Sequence, residues 1–66
     1  MRIVVNGDAV EAADGCSVVA LLLQLGIGRD RVAFELNGAI VPKANYEKQL
    51  LADDDKIEIV HFVGGG

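Results

Sequence analysis

Two Asn-Gly pairs constrain this chain more than any other feature. Asn6-Gly7 lies inside "RIVVNGDAVEA" and Asn37-Gly38 inside "RVAFELNGAIVP", each between short apolar runs. Asn followed by Gly tolerates positive φ at both central positions of a type I′ turn, whose twist matches that of two antiparallel strands. Two hairpins are therefore expected. Between them, in "ADGCSVVALLLQLGIG", the hydrophobic period changes. Val18, Leu21, Leu22 and Leu25 fall at i, i+3, i+4 and i+7, one stripe of a short helix. Ser17 is placed as its N-cap, and Gly26 supplies a left-handed residue after the last turn, with Ile27 folding back toward Leu22. Val19 and Leu23 lie off the stripe and are read as rim packing or contact surface.

In the second hairpin Val32, Phe34 and Leu36 alternate with Ala33 and Glu35, as in a half-buried strand. Pro42, which has no N–H to donate, ends the return strand. "NYEKQLLADDD" reads as one helical turn and a loop anchored by Tyr46, Leu50 and Leu51. Asp53-Asp54-Asp55 reads as a solvated turn, because a calcium loop needs more ligands at set spacing. "KIEIVHFV" is the last strand. The order β-β-α-β-β-turn-β favours a mixed α+β sheet with one main helix packed on one face, its first and last strands adjacent and parallel. Alternation in the last strand sets Ile57 and Ile59 toward the helix and Val60 and Phe62 on the opposite face.

Sixty-six residues, 52% of them hydrophobic, make one small domain with more apolar side chains than its core can hide, so some are expected to serve a partner. A net charge of −4 argues against nucleic acid and anionic membrane surfaces. The start is not a signal peptide and no run reaches membrane-spanning length. The single cysteine, Cys16, gives neither an internal disulfide nor a metal spacing, so a cytoplasmic location and no metal site are expected.

From Val41 onward the residues become specific. Val41, Pro42, Lys43, Tyr46, Leu50, Asp53, Asp55, Ile57, Glu58, Ile59, Val60, Val63, Gly64, Gly65 and Gly66 sit in register with a pattern of the ThiS family. The chain thus resembles the sulfur carrier proteins of thiazole (thiamine) biosynthesis. Two departures stand out: Asp54 replaces a usual Gly, and Lys43 stands where Arg is common. The resemblance implies a ubiquitin-like β-grasp domain over residues 1–63 and a flexible glycine tail over 64–66. It implies that an E1-like adenylating enzyme of the ThiF type activates Gly66 with ATP. A sulfur donor protein then converts the acyl-adenylate to a thiocarboxylate, and a thiazole synthase of the ThiG type receives the sulfur. The chain itself would bind no cofactor and would be no enzyme; the ATP is consumed by the partner.

The residues suit that chemistry. Gly64 and Gly65, lacking Cβ atoms, can thread a narrow channel, and residues 63–66 reach about 13 Å at most. Val60, Phe62 and Val63 are the candidate docking residues upstream of it. His61 reads as a surface residue and Cys16 as a small turn residue, since no nucleophile–base–orienter set accompanies either. Three alternatives stay open on sequence: a molybdopterin-type carrier, a protein modifier conjugated through Gly66, and a plain binding module with an inert tail.

Overall fold

The computed structural model describes residues 1–62. The chain forms strands β1 (Arg2–Val5) and β2 (Asp8–Glu11), helix α1 (Val18–Leu25), and strands β3 (Val32–Leu36), β4 (Ala39–Val41) and β5 (Lys56–His61). Short 3-10 segments cover Arg29–Arg31 and Lys43–Asn45. The five strands form one mixed sheet in the order β2-β1-β5-β3-β4. β1 and β5 are parallel neighbours, with Val4 beside Lys56 and Val5 beside Ile57. β5 also runs antiparallel to β3, from Leu36 opposite Ile57 to Val32 opposite His61. The last strand in sequence is therefore the middle strand of the sheet.

Both Asn-Gly turns adopt the expected geometry, with φ of 49° and 87° at Asn6 and Gly7 and 51° and 86° at Asn37 and Gly38. Asp54 takes φ of 69°, in the left-handed region that Asp tolerates better than most residues.

α1 begins and ends as its residues dictate. The Ala20 N–H donates to Ser17 Oγ at 3.1 Å. The first-turn N–H groups of Val18 and Val19, which no helical carbonyl can serve, donate to Gln49 O and Tyr46 O at 3.0 Å each. At the other end Gly26, with φ of 71°, donates to Leu23 O, and the Ile27 N–H donates to Leu22 O at 2.9 Å. This is the Schellman ending expected from the sequence.

Val18, Leu21 and Leu22 are fully buried, packing with Ile3, Val5, Val32, Phe34, Ile57 and Ile59. Leu25, expected in the same stripe, is only partly buried at the edge of this core, as are Val19, Ile27 and Leu36. Leu25 is the last residue of α1. The segment between β4 and β5 completes the lid beside α1. Tyr46 is buried against Phe34, with ring centroids 6.0 Å apart and planes tilted by 58°. That arrangement adds about 0.5–1.5 kcal/mol to plain burial.

One expected anchor in that segment lies outside the core. Leu51 is buried, but Leu50 is 60% exposed. The backbone here is extended: Leu50 bridges to Ser17, and the Leu51 N–H donates to Cys16 O at 2.8 Å. Extended backbone sends neighbouring side chains to opposite sides, so only one of two adjacent leucines can enter the core. The Asp53–Asp55 turn also differs from a merely solvated one. Asp53 Oδ1 accepts from the Arg2 N–H at 2.8 Å, and Asp55 Oδ2 accepts from the Ala52 N–H at 2.7 Å. These carboxylates are committed to backbone donors.

Candidate functional site

The sequence directs attention to the end of β5, and the sheet explains why that end is well supported. Along β5, Ile57 and Ile59 are buried beneath α1, while Glu58 and Val60 point to the other face. Val60 is 53% exposed and Phe62 57% exposed, on the face that α1 leaves open. The alternation expected for Ile57, Ile59, Val60 and Phe62 holds. Val63, Gly64, Gly65 and Gly66 lie outside the described residues.

Phe62 continues the ladder by one bond beyond β5: its N–H donates to Arg31 O at 2.9 Å. The Lys43 ammonium lies 5.9 Å from the centre of the Phe62 ring and donates to Asp30 O at 2.8 Å. Arg29 crosses in the opposite sense, with Nη2 donating to Lys43 O at 3.1 Å. Its guanidinium also sits 5.7 Å from the Tyr46 ring centre and 3.6 Å from a Glu47 carboxylate oxygen. The two 3-10 segments are thus cross-braced beside Phe62. The Lys43 and Phe62 side chains are both exposed, so this cation–π contact is of the weak class, about 0.5–1 kcal/mol. Burial pushes the Tyr46 hydroxyl above its ordinary value, a trend that Arg29 opposes.

Ile40 was not anticipated. It is 62% exposed and lies opposite Glu35 on β3, so it shares the open face with Val60 and Phe62. Alternation in β4 carries the signal, because Val41 is buried and its neighbour must face outward, but a three-residue strand is too short for a period to be read. The open face also sets Glu35 directly opposite Glu58. Like charges so placed oppose pairing.

The remaining candidates stand apart. His61 is exposed at the end of β5, and Cys16 is partly buried beside the start of α1. Leu23 is 76% exposed on α1, on the side of the molecule away from Phe62's face, whereas its companion Val19 packs on the core. The Met1 amine donates to Ala12 O and contacts Asp14 Oδ1, each at 2.8 Å. The Asp14 carboxylate raises the amine above its ordinary 8.0, and the amine holds Asp14 below its ordinary 3.8. Met1, Asp14, Gly15, Leu51, Ala52 and Asp53 line an open depression of about 370 Å³. Because β1 and β5 are parallel, it lies where β5 begins, at the far end from Phe62.

Comparison with known proteins decides what this arrangement belongs to. The model of the ThiS family matches residues 2–66. This chain belongs to the ThiS family. A thiazole synthase of Magnetococcus marinus is 42% identical over 66 residues, which is all of this chain but 20% of that protein. The chain therefore spans a fifth of that relative's length. The sulfur carrier protein ThiS of Bacillus subtilis is 40% identical over 62 residues, covering 92% of this chain and 94% of that one. The crystal structure of the thiamine biosynthesis protein ThiS from Geobacter metallireducens aligns with a TM-score of 0.84 at 32% identity, over the whole of both chains. The fold is the ubiquitin-like β-grasp of this sulfur-carrier family of thiamine biosynthesis.

Proposed function

We propose that this protein is a sulfur carrier in which the Gly66 carboxylate is the working group and the rest of the chain delivers it. In the first step a carboxylate oxygen attacks the α-phosphate of ATP in an E1-like, ThiF-type partner, and pyrophosphate leaves. The acyl-adenylate replaces a charged, unreactive carboxylate with a carbonyl bearing a good leaving group. A persulfide or related sulfur donor then attacks the carbonyl carbon and AMP departs. A second thiol then attacks the donor's sulfur in the resulting acyl disulfide, forming a disulfide with it and releasing the thiocarboxylate. A ThiG-type thiazole synthase is the acceptor, a choice supported by the similarity of this chain to part of a thiazole synthase. The chain supplies no catalytic residue of its own in this scheme and holds no cofactor.

The observation that carries the reading is the course of β5. This central strand, paired with β1 at its start and with β3 from Ile57 to His61, leads into the glycine-rich end and exposes Val60 and Phe62 just before it. Three glycines contribute little affinity and are costly to order on binding. Affinity must come from the body, and aromatic residues at the middle of a contact usually contribute most. Val60 and Phe62, joined by Ile40, are the docking residues, with Val63 next in sequence. Gly64 and Gly65 thread the partner's channel. The test is incubation with a ThiF-type enzyme and ATP: pyrophosphate release that depends on the carrier, and is lost when a residue is appended after Gly66, supports the reading. Release that survives the appended residue contradicts it.

A further inference from the structure

The two Asn-Gly turns hold more than their own hairpins. β1 ends at Val5, beside Ile57, and the Asn6 N–H donates to Ile57 O at 2.9 Å. The chain then turns away into β2, while β5 continues to His61. At this point the Asn6 side chain takes the place of the missing strand. Its Oδ1 accepts from the Ile59 N–H at 2.8 Å, and its Nδ2 donates to Ile59 O at 3.2 Å. One side-chain amide thus pairs with both backbone groups of one residue, 53 positions away in sequence, as a peptide group of β1 would. Asn37 does similar work at the start of β5 from the β3 side. Its N–H donates to Lys56 O at 2.7 Å, its Oδ1 accepts from the Lys56 N–H at 2.9 Å, and its Nδ2 donates to Asp55 Oδ1 at 3.0 Å.

We infer that Asn6 is a positioning residue for the transfer chemistry at Gly66, holding the β1-side edge of β5 so that the strand keeps a fixed course up to Phe62. The inference rests on the sulfur-carrier reading. Without the Asn6 amide, β5 from Glu58 onward is held only along its β3 edge, where Phe34 lies opposite Ile59 and the Phe62 N–H donates to Arg31 O. Strands held as a two-stranded ribbon twist more than strands with neighbours on both sides. That changes the course of β5 between Ile59 and Phe62, while Val60 keeps its pairing with β3, Phe62 keeps its bond to Arg31 and both keep their exposed face. In-line attack on a phosphate tolerates misplacement poorly, and an error of about 1 Å can cost up to about 100-fold in rate. The loss therefore belongs in kcat and not in KM.

Glycine substitutions separate this role from the turn's own needs. Gly adopts the positive φ of 49° at Asn6 and 51° at Asn37, so Asn6→Gly and Asn37→Gly keep both hairpins while each removes a side-chain clasp on β5. Carrier-dependent pyrophosphate release by a ThiF-type enzyme with ATP is measured against carrier concentration for the full chain and both variants, below their melting temperatures. Hydrogen exchange of the Ile59 amide is followed in parallel. For Asn6→Gly the expected result is faster Ile59 exchange, a kcat lower by about tenfold and a KM within about twofold. Asn37→Gly, which loses comparable bonds far from the chain's end, should keep both constants within about twofold even if its melting temperature falls. Equal losses in the two variants, no loss of kcat in Asn6→Gly, or unchanged Ile59 exchange would overturn the positioning role. A wild-type carrier that elicits no pyrophosphate release refutes the carrier reading itself, and the inference goes with it.

Discussion

The two faces of the sheet are built from the same alternating strands and meet opposite fates. On one, Ile3, Val5, Phe34, Ile57 and Ile59 are closed over by α1 and by the segment carrying Tyr46 and Leu51. On the other, Ile40, Val60 and Phe62 stay exposed around a Glu35–Glu58 pair. A small domain has one helix to spend, and it covers one face. Apolar residues on the uncovered face add little to folding, so they are available to a partner. The covered face maintains the fold; the open face, on the carrier reading, recognises the partner.

Substitutions that discriminate the faces test this division. The largest folding effect is expected on the covered side. Leu22→Ala removes a fully buried side chain and should lower stability by about 2–5 kcal/mol, read from denaturant or thermal unfolding. A loss under about 1 kcal/mol would place the core elsewhere. Phe62→Ala, on the open face, should weaken binding to the adenylating enzyme by about 1–3 kcal/mol and change folding stability by less. Titration of both forms against that enzyme, with melts alongside, decides it; equal affinities would move the docking patch away from Phe62. The smallest effect has the opposite sign. Glu58→Gln removes the like-charge opposition to Glu35 and should raise stability by about 0.2–1 kcal/mol. A destabilised Glu58→Gln variant would mean that the carboxylate is satisfied by a contact on that face.

The division between the faces was largely legible in the sequence, because it follows from period. Val18, Leu21 and Leu22 repeat at helical spacing, and Ile57, Ile59, Val60 and Phe62 separate by alternation in a strand long enough to show it. Both turns were legible because Asn-Gly has a specific backbone preference. Period fails where segments are short or irregular. It did not separate Leu50 from Leu51, whose sides are set by a backbone bridge to Ser17, and it did not place Ile40 in its three-residue strand. Pairwise contacts between distant residues leave no local trace at all. Asn6 reads as a turn residue, and nothing near it announces Ile59 as its partner. The cross-brace of Arg29 and Lys43 beside Phe62 is hidden for the same reason. As for the candidate site, Val60 and Phe62 came from alternation, whereas Gly66 came from the resemblance and from the chemistry a bare carboxylate permits.

The central claim is that Gly66 carries sulfur, and the most direct measurement is the intact mass of the protein isolated from its native host. The account predicts a population heavier by one sulfur-for-oxygen exchange, located by fragmentation at the C-terminal Gly66 and absent when the adenylating partner is deleted. An unmodified C-terminus in a host with active partners, or Gly66 found joined to lysine side chains of other proteins, would contradict it.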